Sequence, residues 1–119
     1  MSTVVQDAAV ALESALKTVE GLRVYRLGDN VDPPAFVVGP PTLRWDNFCG
    51  DPTEATFAVF LIEAMDDRTL ERLWQHVVPA SEAVDTVENA AVISAAPGIF
   101  EAGATPLPCY VLSVEVSLS

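Results

Sequence analysis

One histidine, two cysteines and a surplus of carboxylates are what this sequence offers for chemistry. Nucleophilic catalysis needs a nucleophile, a base and a group that orients the base. His76 is the only base of the imidazole type. Helical spacing from Leu73 and Val77 puts it at the side of an apolar stripe, the place of an ordinary surface or boundary histidine. Cys49 or Cys109 could supply a thiol to it, but no motif joins them. The two cysteines form neither a CxxC nor a zinc spacing. Two reduced thiols of a cytoplasmic assembly are the expectation. Asp66-Asp67 and the run "DNFCGD" at 46–51 carry oxygen ligands. Neither has EF-hand spacing, and helix capping and turns account for both. The glycines are scattered and make no phosphate loop. A glycosidase-type carboxylate pair cannot be singled out among 17 acidic residues. The residues carry no readable catalytic chemistry and no metal or phosphate-loop signature.

Those acids set the electrostatics. Six basic residues against 17 acidic ones give a net charge of −11. Stable DNA binding replaces phosphate counterions with Lys and Arg, so this balance argues against it. A negative surface instead keeps the chain soluble and lets nucleic acid pass without sticking. The 119 residues fit one domain, 1–119, and half of them are hydrophobic. No apolar run approaches the roughly 20 residues that cross a bilayer. No basic segment followed by an apolar core marks a signal peptide. No membrane partner is expected.

The elements that must position these residues follow from periodicity. Thr3 and Gln6 have capping-box spacing, with Ser2 as a rival cap. Val5, Ala8, Ala9, Leu12, Ala15, Leu16 and Val19 recur behind them at helical spacing, and Gly21 is placed to end the helix. Leu22–Leu27 reads as a strand with Val24 inward. "GDNVD" is turn chemistry. "TLRWDNF" is a further short strand. "ATFAVFLIEA" is the strongest strand, apolar on both faces, as for a central strand covered on both sides. "MDDRTLERLWQHVVPASEAVDTV" reads as the second helix. Asp66 or Asp67 caps it, and Leu70, Leu73, Val77, Ala80, Val84 and Val87 form its buried stripe. Trp74 lies beside that stripe as a further core residue. Pro79 should kink or split the helix. "AAVISAAPGIFEAG" is a strand interrupted at Pro97-Gly98. In the last run Leu112, Val114, Val116 and Leu118 alternate with polar residues, the pattern of a half-buried strand. Segregated elements predict an α+β fold: a mostly antiparallel sheet with two main helices packed on one face.

"DPPAFVVGPP" brackets a strand with prolines. Pro33, Pro34, Pro40 and Pro41 have no N–H for a sheet, so Ala35–Val38 should pair briefly and at an edge. Such guards limit sheet extension. Trp45 and Phe48 follow in a loop-like stretch. Exposed aromatics anchor contacts, which makes them interface candidates alongside the four prolines.

Three runs then carry a family likeness: "GLRVYRLGDNVDPPAFVVGPP" after the first helix, "FAVFLIEAMDDRTLERLWQHV", and the ending "PGIFEAGATPLPCYVLSVEVSL". Together they resemble the tail terminator proteins of long-tailed, siphovirus-type phages, especially those infecting actinobacteria. The resemblance spans nearly the whole chain and is one of elements and prolines. It implies a small α/β sheet with flanking helices and a homohexameric ring on the head-proximal end of the tail, with no enzyme activity and no cofactor. The implied partners are further copies of itself, the tail tube protein and the head–tail connector or stopper protein. Genome DNA would pass through without specific binding. The place implied is the virion tail, after assembly in the host cytoplasm. A head–tail connector subunit is the alternative, and a small bacterial enzyme or ligand-binding domain stands behind it.

Overall fold

The computed structural model describes residues 3–46, 50–102 and 105–118. Along the chain lie α1 (Val4–Leu16), β1 (Arg23–Arg26), β2 (Ala35–Val38), β3 (Thr42–Arg44), β4 (Glu54–Ile62), α2 (Thr69–Asp85), β5 (Ala90–Ala102) and β6 (Thr105–Ser117). The strands form one sheet in the order β1-β2-β4-β6-β5, with β3 also on β4. β1 runs parallel to β2, and every other pair is antiparallel. Both helices bury their stripes on one face. Leu12 and Leu16 of α1 and Leu73, Ala80 and Val84 of α2 share a core with Phe36, Phe57, Leu61, Leu112 and Val114. This is the α+β, mostly antiparallel fold that the patterning predicts.

The Thr3 hydroxyl caps α1, accepting from the Gln6 N–H at 3.0 Å. The helix stops at Leu16, earlier than Gly21 would place its end. Thr18 and Val19 tighten the exit with bonds to the carbonyls of Ala15 and Leu16. Gly21 then takes φ +82, a backbone conformation that suits glycine. α2 is unbroken through Pro79, so the expected split does not occur. The proline ring is exposed, and a carbonyl left without its N–H on that side can bond water. The predicted stripe of α2 is buried at Leu73, Ala80 and Val84, whereas Leu70 is exposed. Trp74, expected in the core, is also exposed.

Three strand expectations need correction. β2 is not an edge strand: it sits between β1 and β4, and all four of its residues are buried. It does stop at Val38, as the flanking prolines predict, but the chain goes on along the same partner strand. β2 pairs with residues 59–62 of β4 and β3 with residues 54–56, both antiparallel. They are two halves of one path along β4, joined by Gly39-Pro40-Pro41. The Gly39 N–H still bonds the Ala58 carbonyl at 2.8 Å. Three residues oppose two at this junction, so it holds one extra residue, as a bulge does. β4 is central, but only one of its faces is covered by helices. The other carries a small cluster of Val37, Ile62 and Cys109 with half-buried Tyr25, Phe60, Phe100 and Val111. Finally, β5 runs straight through Pro97-Gly98. Its irregularity lies between Val92 and Ser94, where Ile93 is the extra residue. β5 is the outermost strand, the position in a sheet that tolerates a proline.

Candidate functional site

The one buried carboxylate among the described residues is Glu63, immediately after β4, with 2% of its surface exposed. Two side chains of α2 reach it. Arg72 Nε lies 3.1 Å from Glu63 Oε1. His76 Nδ1 lies 3.7 Å from Glu63 Oε2, too long for a hydrogen bond. Those two facing atoms are buried and have no other partner. Arg72 also donates through Nη2 to Asp66 Oδ2 at 2.7 Å and to the Ala64 carbonyl at 3.1 Å. The Asp66 hydrogen bond raises the Arg72 pKa, and the same bond holds the Asp66 carboxyl below its ordinary value. Thr69 completes the knot: its hydroxyl donates to the Ala64 carbonyl and accepts from the Asp66 N–H, both at 2.7 Å. The linker from β4 into α2 is therefore tied by side chains rather than by an ordinary cap. Arg68 occupies the N-cap and makes no side-chain cap bond.

The arrangement sets a buried carboxylate against one guanidinium and one imidazole. Beside His76 an open cleft of about 440 Å³ is lined by Thr18, Glu20, Glu82 and Thr86. The Thr18 and Thr86 hydroxyls each donate at 2.6 Å to a carbonyl at the end of their own helix, Ala15 and Ala83. Both hydroxyl protons are therefore committed to backbone carbonyls. Cys109 is a free, buried thiol in the cluster on the opposite face of the sheet from the helices. Burial pushes its pKa up, opposite to the activation a nucleophilic thiol needs. Cys49 lies outside the described residues. Among the described residues, no group of three or more His, Cys, Asp or Glu side chains could hold a metal ion. No helix among them is long and apolar enough to cross a membrane.

The interface candidates fall in three places. Pro33 and Pro34, joined by a cis bond, lead into β2 and are half-buried. Pro40 and Pro41 line a groove of about 470 Å³ against α1, together with Val10, Arg26 and Leu27. Trp45 is exposed beyond β3 and donates its indole N–H to the Gly50 carbonyl at 3.1 Å. Phe48 lies outside the described residues. The described candidates are thus not gathered into one patch.

A different surface does gather apolar residues, and the sequence reading missed it. Leu70, Trp74 and Val78 recur every four residues along α2 and are all exposed. Trp74 donates its indole N–H to the Tyr110 hydroxyl at 2.8 Å, which lays the ring over β6. Ile93 and Ile99 of the neighbouring β5 are exposed as well, Ile99 at 71%. The signal was present in the 70, 74, 78 spacing, but an apolar stripe reads the same whether it faces a core or an interface.

The cations are largely used up locally. Arg23 pairs with Asp32, Arg26 with Glu13, Arg44 with Glu54, and Arg72 with Glu63 and Asp66. The remaining carboxylates crowd the helix layer and its turns, among them Asp7, Glu20, Glu71, Glu82, Asp85 and Glu88. No protein-family model matches the chain, and no curated protein matches it.

Proposed function

We propose that this chain is a structural subunit of a long-tailed phage: a tail terminator whose copies form a ring at the head-proximal end of the tail tube. The observation that carries this reading is where the three resembling runs lie. They supply β1 and β2, most of β4 with the first half of α2, and the second half of β5 with β6. They therefore build the sheet itself and the helix that covers it, not a detachable loop. A protein whose task is to present surfaces needs such a frame and needs no reactive centre. The buried Glu63–Arg72–His76 knot fits as a tie of that frame.

Charge supports the same reading. Every Arg of β1 and β3 is matched by a carboxylate, and the helix layer is acidic. Neither layer offers a cationic wall, so duplex DNA, with one charge per roughly 1.7 Å, would find no row of phosphate partners in a channel built from these subunits. The test is electron microscopy of the purified protein, alone and mixed with assembled tail tubes. The expected result is a closed ring of about six copies at one end of each tube, with tube growth arrested. Open helical stacking, or binding only to isolated head connectors, overturns it. A channel wall lined mainly by Lys17, Arg23, Arg26 or Arg44 defeats the charge argument, even if the ring survives.

A further inference from the structure

We infer that two copies of this chain dock head to tail, the β5–α2 side of one against the α1–β1 side of the next. The sheet ends in two open strands of unequal length, β1 with four residues and β5 with 13. Beside each open strand lies a helix with exposed apolar residues. On the β5 side they project as the α2 ridge Leu70, Trp74 and Val78. On the β1 side Val10 and Leu27 line the groove that also holds Pro40 and Pro41. A ridge on one side and a groove on the other are complementary between copies, and neither is complementary to itself.

Charge selects the same pairing. Residues 1–45, which form α1 and β1 to β3, carry four cations and five carboxylates. Residues 46–119, which form β4, α2, β5 and β6, carry two cations and twelve carboxylates. Two β5–α2 sides brought together would join the strongly acidic halves. Head-to-tail contact sets an acidic half against a nearly neutral one, where Arg23 and Arg26 already neutralise Asp32 and Glu13. Like-charge juxtaposition is an effective barrier to the wrong partner.

Strand direction permits the contact. β1 and β2 run one way, β4 the other, β6 back and β5 opposite again. For a neighbour shifted sideways in the sheet, β5 therefore meets β1 antiparallel. The extra residue at Ile93 and the missing N–H of Pro97 divide the outer edge of β5. They leave windows too short for extended pairing with another β5 but long enough for the four residues of β1. Edge devices of this kind block the unwanted partner while sparing a short one.

The experiment uses two variants of the full chain with exposed positions changed, so that folding is retained and checked by circular dichroism. One, L70E/I99E, blocks the β5–α2 side; the other, V10E/L27E, blocks the α1–β1 side. Sedimentation is measured at high protein concentration and in high salt, which screens the net repulsion between copies. Wild type should self-associate, each variant alone should lose that association, and an equimolar mixture should stop at a dimer. If either variant alone dimerises, the contact is of like sides and the inference is overturned. A monomeric wild type, or a mixture that stays monomeric, overturns it too. The inference deepens the ring reading and rests on it only for closure. An open chain of wild-type copies would keep the docking and defeat the ring. A ring with no dimer in the mixture would do the reverse.

Discussion

The two faces of the sheet use similar residues to different ends. On the helix side, Phe36, Phe57, Leu61 and Leu112 lie under α1 and α2 and are fully buried. On the other side, Phe60 and Phe100 approach with ring centroids 5.2 Å apart and planes tilted by 55°, yet both stay half-buried. Alternate residues of β4 contribute to both sets, Phe57 and Leu61 to one and Phe60 to the other, so composition does not separate them. What separates them is a second layer. Side chains on the helix side are enclosed from above, whereas those on the bare side are shielded only by cross-strand neighbours. The helix-side face therefore carries the stability of the fold, and the bare face has room to tolerate change.

Truncating one phenylalanine on each face tests that contrast most strongly. Phe57→Ala should cost about 3–5 kcal/mol, read as a lower denaturant midpoint at constant slope. Phe60→Ala should cost about half as much, since part of its surface already meets water. Equal losses would show that the bare face is covered in solution, as by a second copy. An intermediate effect is expected at Gly39. A Cβ there would stand 3.1 Å from the Ala58 carbonyl oxygen and 3.3 Å from the Phe60 ring. The carbonyl belongs to the central strand and cannot move aside. Gly39→Ala should destabilise by about 1–3 kcal/mol, and Gly39→Ala combined with Phe60→Ala by less than the sum.

The smallest effect concerns pH. The Cys109 thiol has its pKa raised by burial, so the folded state holds its proton longer than the unfolded chain does. Its contribution to stability is complete below the ordinary thiol value of about 8.5 and declines as pH rises through the folded value. Cys109→Ala should flatten part of the alkaline loss in a denaturation series. An unchanged slope would show that the thiol titrates freely, and hence that the bare face opens to solvent.

Periodicity revealed much of this architecture, and where it fell short the reasons are physical. Helix caps, the alternation of β6 and the grouping of elements are local properties, and Thr3, Leu112 and Val114 declared them. The neighbours of a strand are not local. Prolines around Ala35–Val38 look the same whether they end a strand or bend it past a bulge, and only the pairing partner decides. For Leu70 and Trp74 the stripe was visible but its partner was not. Glu63 was hidden for a further reason: a carboxylate at the end of an apolar run reads as the start of a loop, and its burial depends on Arg72 and His76 arriving from α2. The interface candidates were legible as residue types, while their dispersal over three places was not.

The extra residue at Ile93 has a consequence for the evolution of the chain's length. Val92 faces Val114 and Ser94 faces Ser113, so removing Ile93 would leave an unbroken ladder. The same holds at Gly39-Pro40-Pro41, where one residue could be lost without disturbing the partners on either side. Elsewhere in these strands a single-residue deletion would turn every following side chain to the wrong face. Within the described strands, length change therefore has two permitted addresses, each worth one codon, while most of the strand sequence between them is locked in phase.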